Sequence, residues 1–433
     1  GLALYDVLRG FQRALPWHKH LSEKKIATIA PSLRGDLING AIKYFDAQVD
    51  DARHTMSIAR TAAKYGAVIT TRTRCEEVIK NGKRVVGAKI RDLISDELID
   101  VRAKATIMAS GVWSDQLHEK FGLKAGYSVR MSKGSHIVVP KSAINSESGV
   151  IIKTDLSVLF IIPWGEQWIV GTTDTDYQES REEPLASSDD VSYIINQANR
   201  VLEPKLRRDQ VIGVFAGLRP LVSTDPDSPT TKLSREHVVD SPAPGFVSIA
   251  GGKYTTYRVM SEDAVDEAVN HLRRIVPDST TENLAIIGAE GYSVLINKIP
   301  KLAKEYGLAE ETIRHLLDRY GSLFDELLAP AKDDSTLLEP LIEGLPYIKA
   351  EARYAITHEL ALSIDDLLSR RTRIAFEASD SGLSITTYLG ELLGKFAGLG
   401  KKEITKSINE YEQIILRQKK NLERATQIAS KVS

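Results

Sequence analysis

Residues 245–258 have the sequence GFVSIAGGKYTTYR, and this stretch decides the fold of the chain around it. Its apolar half, residues 246–250, predicts a short buried strand. Two glycines follow, where the backbone must approach another group closely or take a positive φ angle. Thr255 or Thr256 can then cap a helix over about residues 258–275, in which apolar side chains recur at helical spacing.

A strand that ends in Gly-Gly at the start of a helix is a common ligand site in α/β proteins. The first N–H groups of the helix have no partner there, and the helix dipole adds a partial positive charge. Lys253 adds a full positive charge at the same point. The alternative interpretation is a tight turn with a surface lysine, because short glycine motifs also recur without any function.

The composition argues against several classes of protein. A formal net charge of -1 gives no reason to expect nucleic acid, and the single cysteine, Cys75, excludes a disulfide within the chain. The nine histidines show no metal-ligand spacing, so we expect no metal site. No apolar run approaches the roughly 18 residues of a membrane span, and no secretory signal is visible, so we expect a cytoplasmic protein. The chain begins Gly-Leu-Ala without methionine, and we expect it to be a piece of a longer protein.

The first part of the chain predicts an α/β domain with an unusual connection. Helices are expected over residues 2–15 and 23–30, and the acid pair Asp50-Asp51 fits a helix cap better than two catalytic carboxylates. The predicted strands cover residues 41–45, 68–71, 74–80, 84–90, 98–103 and 105–109. Three of them form a meander around an Asn-Gly turn, where a helix would normally connect parallel strands. Such an insertion is typical of FAD-binding Rossmann domains, by analogy of fold.

The middle of the chain predicts an antiparallel layer suited to the wall of a substrate cavity. Its strands are expected over residues 135–139, 150–153, 158–164, 167–173 and 211–215. A helix over residues 189–203 has one apolar face and ends at Pro204. From about residue 288 the pattern is helical, and it indicates no function. The helices there are expected over residues 308–320, 323–328, 350–362, 363–371, 388–396 and 404–422.

A series of short motifs runs through the chain. They are VDDAR at 49–53, TRTR at 71–74, ASGVW at 109–113, KGSHIVVP at 133–140, IPW at 162–164, GTTD at 171–174, GLRPL at 217–221, GGKYTTYR at 251–258, RYGS at 319–322, HE at 358–359 and RRT at 370–372. With these motifs the chain resembles the FAD-dependent (aerobic) glycerol-3-phosphate dehydrogenases over nearly its whole length. Each motif is modest by itself, and their combination in the family's order is specific.

The resemblance implies a mixed α/β fold in three parts. An incomplete FAD-binding Rossmann-like domain comprises residues 1–127 and 211–276, and a C-terminal helical domain comprises residues 288–433. Between them lies an antiparallel β substrate domain, residues 128–210, to which residues 211–245 contribute. The implied reaction oxidises sn-glycerol 3-phosphate to dihydroxyacetone phosphate, with hydride passing to FAD and electrons on to quinone. A peripheral contact with the inner face of the cell membrane and a homodimer are further expectations.

The resemblance also assigns roles to single residues. Arg219 and Arg235 are expected to bind the phosphate, because a dianion favours the two-pronged donor that arginine supplies. Arg219 is expected to end a strand and Arg235 to open the next one. Lys253 is placed beside the flavin or the substrate oxygen, and His136 is the candidate for acid–base work, with a structural histidine as the alternative. The residues expected to contact the cofactor are Cys75, Ser110, Gly111, Trp113, Gly217, Gly251, Gly252, Tyr254 and Thr255.

The sequence departs from the family pattern in one respect. The family begins with a strand and a Gly-x-Gly-x-x-Gly turn that holds the pyrophosphate of FAD, and no such motif occurs in these 433 residues. We therefore expect the chain to start roughly where that first unit ends and to bind FAD poorly by itself. The alternatives left open are a glycerol-phosphate oxidase that reduces oxygen, a flavin amino-acid oxidase, and an inactive fragment without flavin.

Overall fold

The structure is a computed structural model that describes residues 15–154, 158–223, 236–272 and 274–432, the stretch 424–432 as helical backbone only. The strands are β1 Lys19–Leu21, β2 Ala41–Lys43, β3 Thr73–Asn81, β4 Arg84–Asp92, β5 Leu98–Arg102, β6 Thr106–Met108, β7 Ser128–Pro140, β8 Val150–Lys153, β9 Val158–Trp164, β10 Gln167–Gly171, β11 Thr175–Asp176, β12 Gly213–Ser223, β13 His237–Ala243 and β14 Phe246–Gly251.

The helices alternate with these strands in the first two thirds of the chain and dominate the last third. They are α1 Glu23–Ile29, α2 Asp51–Lys64, α3 Ser114–Lys120, α4 Ser188–Ala198, α5 Tyr257–Leu272, α6 Tyr292–Ile296, α7 Ile299–Tyr306, α8 Glu310–Tyr320, α9 Phe324–Leu328, α10 Lys349–His358, α11 Ile374–Glu377, α12 Thr386–Ala397 and α13 Lys401–Val432. The helix predicted over residues 2–15 lies almost entirely outside the described residues, and Arg235 lies outside them as well.

A small mixed sheet forms around the stretch that opens the sequence analysis. In it β14 pairs in parallel with β6 and antiparallel with β13, so the carboxyl ends of β6 and β14 lie at one edge. The predicted meander is confirmed as a separate antiparallel sheet, β3-β4-β5. The prediction of a strand over residues 68–71 is wrong. That segment has no strand partner among the described residues, and Val68 is 89% exposed.

The larger sheet is antiparallel, in the order β11-β7-β10-β9-β8, with β12 on the other side of β7. One face packs on α4 through a core that contains Ile137, Trp168 and Ile194. Strand β12 is longer than predicted and pairs with β7 along its whole length. Arg219 therefore lies within a strand and does not end one. Among the described residues β12 pairs with β7 alone, and Pro220 is tolerated there because an edge strand needs no donor on its outer side.

The C-terminal part is helical, as predicted, and has two apolar cores. One lies among α7, α8 and α9 and includes Ile313 and Phe324, and the other lies among α10, α12 and α13 and includes Leu389 and Tyr411. One predicted helix has a different form, because Asp366–Arg371 is a π-helix. No helix in the described part of the chain is both long enough and apolar enough to span a bilayer.

Buried charges join the helical part to α2. We call the group Asp50, Arg53, Arg319, Glu359 and Arg373 the ionic junction. Asp50 caps α2, as predicted, by accepting a hydrogen bond from the Arg53 N–H at 3.2 Å, and its carboxylate also binds Arg319 at 3.1 Å and Arg373 at 2.9 Å. Burial raises the pKa of this carboxyl, but the two guanidinium groups outweigh burial and bring it down to about 2. The cap is therefore ionised at neutral pH.

Candidate active site

The Gly-Gly turn after β14 is tightly enclosed. Gly251 and Gly252 have φ angles of 77° and 80°, which side chains rarely allow. A Cβ on Gly251 would lie 2.7 Å from Val222 of β12, and a Cβ on Gly252 would lie 2.4 Å from the sulfur of Met260. Only glycine therefore lets β14 end against both β12 and α5.

The residues after this turn are exposed. Lys253 and Thr255 extend into solvent, and Tyr254–Thr256 forms a single 3₁₀ turn before α5. The predicted threonine cap is wrong for Thr256, whose hydroxyl donates backward to the Lys253 carbonyl at 3.0 Å. The first N–H groups of a helix have no acceptor within the helix. An anion or a polar ring edge can bind there.

Tyr254 ties the turn to α2. Its hydroxyl lies 2.7 Å from Nδ1 of His54 and 3.3 Å from the carbonyl oxygen of Asp51, to which it donates. Partial burial raises the pKa of this phenol, so the hydroxyl keeps its proton at neutral pH. Helix α2 therefore supports the segment that carries Lys253.

The end of β6 provides the second wall. Gly111 has a φ angle of 55°, and no described atom lies within 4 Å of a Cβ built on it. Ser110 contacts the Ser114 hydroxyl at 3.2 Å, and the Trp113 ring is 41% exposed. The turn Gly111–Trp113 contacts β7, β12 and β14. The two parallel strand ends are thus brought together beside the larger sheet.

These strand ends fit a flavin cofactor. Gly111 after β6 and Gly217 on β12 both leave open space where a flat ring can approach the backbone, and the rings of Trp113 and Tyr254 are exposed. Cys75 is different, because its side chain packs toward the core that contains Met108. Its sulfur lies 3.7 Å from the Glu77 carbonyl, and burial raises the pKa of the thiol. Any contact of Cys75 with a cofactor would use its backbone.

Arg219 lies on the face of the larger sheet that is turned away from α4. Its guanidinium donates to the Thr172 hydroxyl at 3.1 Å and to the Thr173 carbonyl at 3.3 Å, and it lies 3.5 Å from the Asp174 carboxylate. We call these four residues the anchor face. The Arg219 side chain is 31% exposed, so it can also reach a ligand.

Gly134 makes room for this arginine. A Cβ at Gly134 would lie 2.5 Å from Nη2 of Arg219 and 2.6 Å from the Thr172 hydroxyl. Any side chain there would push the guanidinium away from its partners. The glycine of the KGSHIVVP motif therefore has a direct role in orienting Arg219, which the sequence pattern alone did not reveal.

His136 shares the sheet face with Arg219, because Ser132 and His136 of β7 lie opposite Arg219 and Phe215 of β12. The imidazole stacks on the Phe215 ring with centroids 4.8 Å apart. Burial, helped by the positive charge of Arg219, lowers the pKa of His136 to about 4. Its Nδ1 is buried and has no hydrogen-bond partner among the described residues. His136 is therefore a neutral imidazole at neutral pH.

The structure thus brings most of the sequence-predicted residues to two neighbouring places. Arg219, His136 and Gly217 lie on the larger sheet, whereas the others lie at or just after the carboxyl ends of β6 and β14, namely Ser110, Gly111, Trp113, Gly251, Gly252, Lys253, Tyr254 and Thr255. Sequence reasoning missed the neighbours that orient Arg219, namely Thr172, Thr173 and Asp174. The GTTD motif was the available signal. Within the described ranges, no group of three acidic, histidine or cysteine side chains could hold a metal ion.

Two family models match the chain. Residues 3–258 match the model described as FAD dependent oxidoreductase, and residues 279–404 match the model described as the C-terminal domain of alpha-glycerophosphate oxidase. The first match ends at the second residue of α5, and the second begins before α6, so most of α5 lies between the two matches.

Named relatives cover almost the entire chain. It is 41% identical over 411 residues to a glycerol-3-phosphate dehydrogenase of Mycobacterium leprae, covering 95% of this chain and 70% of that protein. Identity to glycerol-3-phosphate dehydrogenase 2 of Mycobacterium tuberculosis is 42%, with the same coverage. Among solved structures, the glycerol-3-phosphate dehydrogenase of Bacillus halodurans complexed with FAD superposes with a TM-score of 0.78 at 28% identity. That match covers 91% of this chain and 78% of the other.

Proposed function

This chain belongs to the FAD-dependent glycerol-3-phosphate dehydrogenase family, and we propose that it oxidises sn-glycerol 3-phosphate at C2 to give dihydroxyacetone phosphate. FAD supplies the redox chemistry, because the flavin ring accepts the hydride. The task of the protein is then to hold the phosphate, to orient C2 and to stabilise charge on the C2 oxygen.

The observation that carries this proposal is the anchor face. The Arg219 side chain is 31% exposed and presents a planar fork beside a threonine hydroxyl, and such a fork binds a phosphate dianion through two parallel hydrogen bonds. Asp174 lies near the same guanidinium and keeps it oriented until substrate arrives. We propose that Arg219 anchors the phosphate and that Arg235, which lies outside the described residues, is a second donor.

Lys253 and His136 have different proposed roles. Lys253 follows the Gly-Gly turn with its charge in solvent, and it can stabilise negative charge on the substrate oxygen or on the cofactor. His136 has a low pKa and an unused Nδ1, so we propose that it accepts or donates a hydrogen bond as a neutral imidazole. The cofactor contacts assigned above to the glycines, Ser110, Trp113, Tyr254, Thr255 and the Cys75 backbone are part of the same proposal.

Electron transfer from the enzyme is proposed from the family resemblance. We propose quinone as the acceptor, a cytoplasmic enzyme with a peripheral contact at the inner face of the membrane, and a homodimer. The division into domains at residues 1–127 with 211–276, 128–210 and 288–433 is proposed on the same basis. The full pairing of β12 with β7 supports the contribution of residues 211–245 to the substrate domain.

Anaerobic reduction of the flavin tests the reaction. The protein is loaded with FAD by adding the cofactor in excess, it is mixed with glycerol 3-phosphate, glycerol or glycine without oxygen, and flavin absorbance is followed. We expect glycerol 3-phosphate alone to bleach the flavin at millimolar concentration, and dihydroxyacetone phosphate to accumulate. Bleaching by glycine would instead identify an amino-acid oxidase. Oxygen is then readmitted. An oxidase would form one hydrogen peroxide for each glycerol 3-phosphate oxidised, at the full rate of turnover.

A further inference from the structure

Helix α11 of the helical part packs against β12 of the larger sheet, and the residue before it, Arg373, reaches the start of α2. Arg373, which precedes α11, binds Asp50 with two nitrogens, Nε at 3.2 Å from Oδ2 and Nη2 at 2.9 Å from Oδ1. The same guanidinium lies over the ring of Trp164 at the end of β9, 4.9 Å from its centroid. One side chain therefore contacts both α2 and the sheet that carries Arg219.

A second contact lies one helical turn away. Phe376 packs against Phe215 with ring centroids 5.4 Å apart, and Phe215 in turn stacks on His136. The backbones of β12 and α11 are also in close contact, because a Cβ on Gly213 would lie 2.3 Å from the Phe376 carbonyl oxygen. Helix α11 is thus seated directly on the face that carries His136 and Arg219.

On its other side, the Arg373 contact continues to the Gly-Gly turn. Arg373 also reaches the Asp51 carboxylate at 3.3 Å, and the Asp51 carbonyl accepts the hydrogen bond of Tyr254. Tyr254 directly follows Lys253. The contacts therefore run from Trp164 through Arg373 and α2 to the segment that carries Lys253.

We propose that Arg373 is a positioning residue that fixes the anchor face relative to the Lys253 segment. This inference rests on the proposed function, because it assumes that substrate lies between these two places. Three features suit Arg373 to this task. Its side chain is 14% exposed, and its planar guanidinium binds Asp50 through two nitrogens. Its backbone N–H donates to the Tyr347 hydroxyl of the helical part at 3.1 Å. A guanidinium held in this way restricts the movement of α2 relative to the larger sheet.

The test uses Arg373→Gln, Arg373→Lys and the control Arg353→Gln. Arg353 also belongs to the helical part and also lies over an aromatic ring, Phe396, at 5.1 Å, but it contacts neither α2 nor the larger sheet in any described interaction. Amide hydrogen exchange is measured on peptides covering residues 51–56 and 160–168, together with kcat and KM of the FAD-loaded enzyme.

We expect Arg373→Gln to speed exchange at least fivefold in both peptides and to lower kcat by on the order of 10- to 100-fold, the cost of misplacing reacting groups. KM should change less than kcat, because the phosphate anchor stays intact. Arg373→Lys keeps the positive charge but loses the planar fork, so its kcat should lie between those of Arg373→Gln and the wild type. Arg353→Gln should change neither peptide.

Unchanged exchange in both peptides of Arg373→Gln would overturn the positioning role. An equal effect of Arg353→Gln would also overturn it, because the change would then reflect general loosening of the helical part. The exchange measurement uses no substrate, so it decides the positioning role even if glycerol 3-phosphate fails to reduce the flavin.

Discussion

The anchor face and the ionic junction both place arginine beside a carboxylate, yet the two environments differ. In the anchor face, Arg219 is 31% exposed, lies 3.5 Å from Asp174 and has two neutral acceptors. In the ionic junction, Arg53 is 7% exposed, and its Nη1 donates to the fully buried Glu359 at 2.5 Å. The Arg53 guanidinium also lies over the Tyr320 ring, 4.4 Å from the centroid.

The difference separates arginines that hold the fold from an arginine that can bind a ligand. A buried guanidinium in contact with a buried carboxylate cannot release it without leaving an unpaired charge away from water. A half-exposed guanidinium exchanges one weak partner for another at small cost. Arg219 lies in a family motif, as do Arg53 and Arg319 of the ionic junction, so motif membership alone could not distinguish the two roles. Their burial and their partners do.

The largest effect is expected where the ionic junction is broken. Glu359→Gln removes the charge that balances Arg53, and we expect the free energy of unfolding to fall by about 3–5 kcal/mol. Urea denaturation followed by circular dichroism measures this loss. The matched control is Glu326→Gln, since Glu326 also binds an arginine, Arg60 at 3.1 Å, but is 45% exposed.

For the control we expect a loss of only about 1 kcal/mol or less. The double variant Arg53→Met with Glu359→Met should recover much of the stability, because it leaves no buried charge unpaired. If Glu359→Gln is no more harmful than Glu326→Gln, the distinction between the two regions fails.

The second effect is expected at the anchor face and in a different quantity. Arg219→Lys keeps the charge but loses the fork, so kcat/KM for glycerol 3-phosphate should fall by roughly 10- to 150-fold, equivalent to about 1.5–3 kcal/mol. The melting temperature should change little, because Arg219 is half-exposed. Steady-state kinetics and a thermal melt on the same preparation measure both.

Glycerol is the control substrate for this variant. It has no phosphate, so its slow turnover should be nearly the same in wild type and Arg219→Lys. Equal losses with both substrates, accompanied by a lower melting temperature, would show that Arg219 belongs with the structural arginines.

The smallest effect is expected at His136. Because burial and the charge of Arg219 lower the pKa of His136 to about 4, its imidazole should not titrate between pH 5 and pH 8. We expect His136→Gln to lower kcat/KM by well under the roughly 100-fold that loss of a general base costs, with an unchanged pH profile. The substrate phosphate, with a second pKa of about 6, should shape both profiles equally. An inflection present in wild type and absent in the variant would assign acid–base work to His136.

Much of the architecture was accessible from the sequence. Strand-sized segments bounded by turn residues predicted the antiparallel layer, and the Asn-Gly turn predicted the meander, because such turns join neighbouring antiparallel strands. The two glycines predicted the turn after β14, and Asp50 predicted the cap of α2. The motifs identified the family and its cofactor. These features depend on neighbours a few residues away or on ordered motifs, which a sequence displays directly.

Other features depended on partners that are distant along the chain. Residues 68–71 have a strand-like composition, but among the described residues no strand pairs with them. Strand β12 continues through Arg219 and Pro220 because β7 provides a partner along its full length. Local composition cannot supply either fact, since strand pairing is a property of two segments.

The sequence by itself determined the family, the cofactor, the turn that carries Lys253 and the residue types able to bind a phosphate. Only the tertiary structure decided which arginine remains half-exposed, that His136 stays neutral, and that Arg373 of the helical part contacts both Trp164 and Asp50. The physical reason is that the energy of a charge depends on its burial and on partners that lie 306 positions apart for Arg53 and Glu359 and 323 for Asp50 and Arg373. Such residues come into contact only when the chain folds.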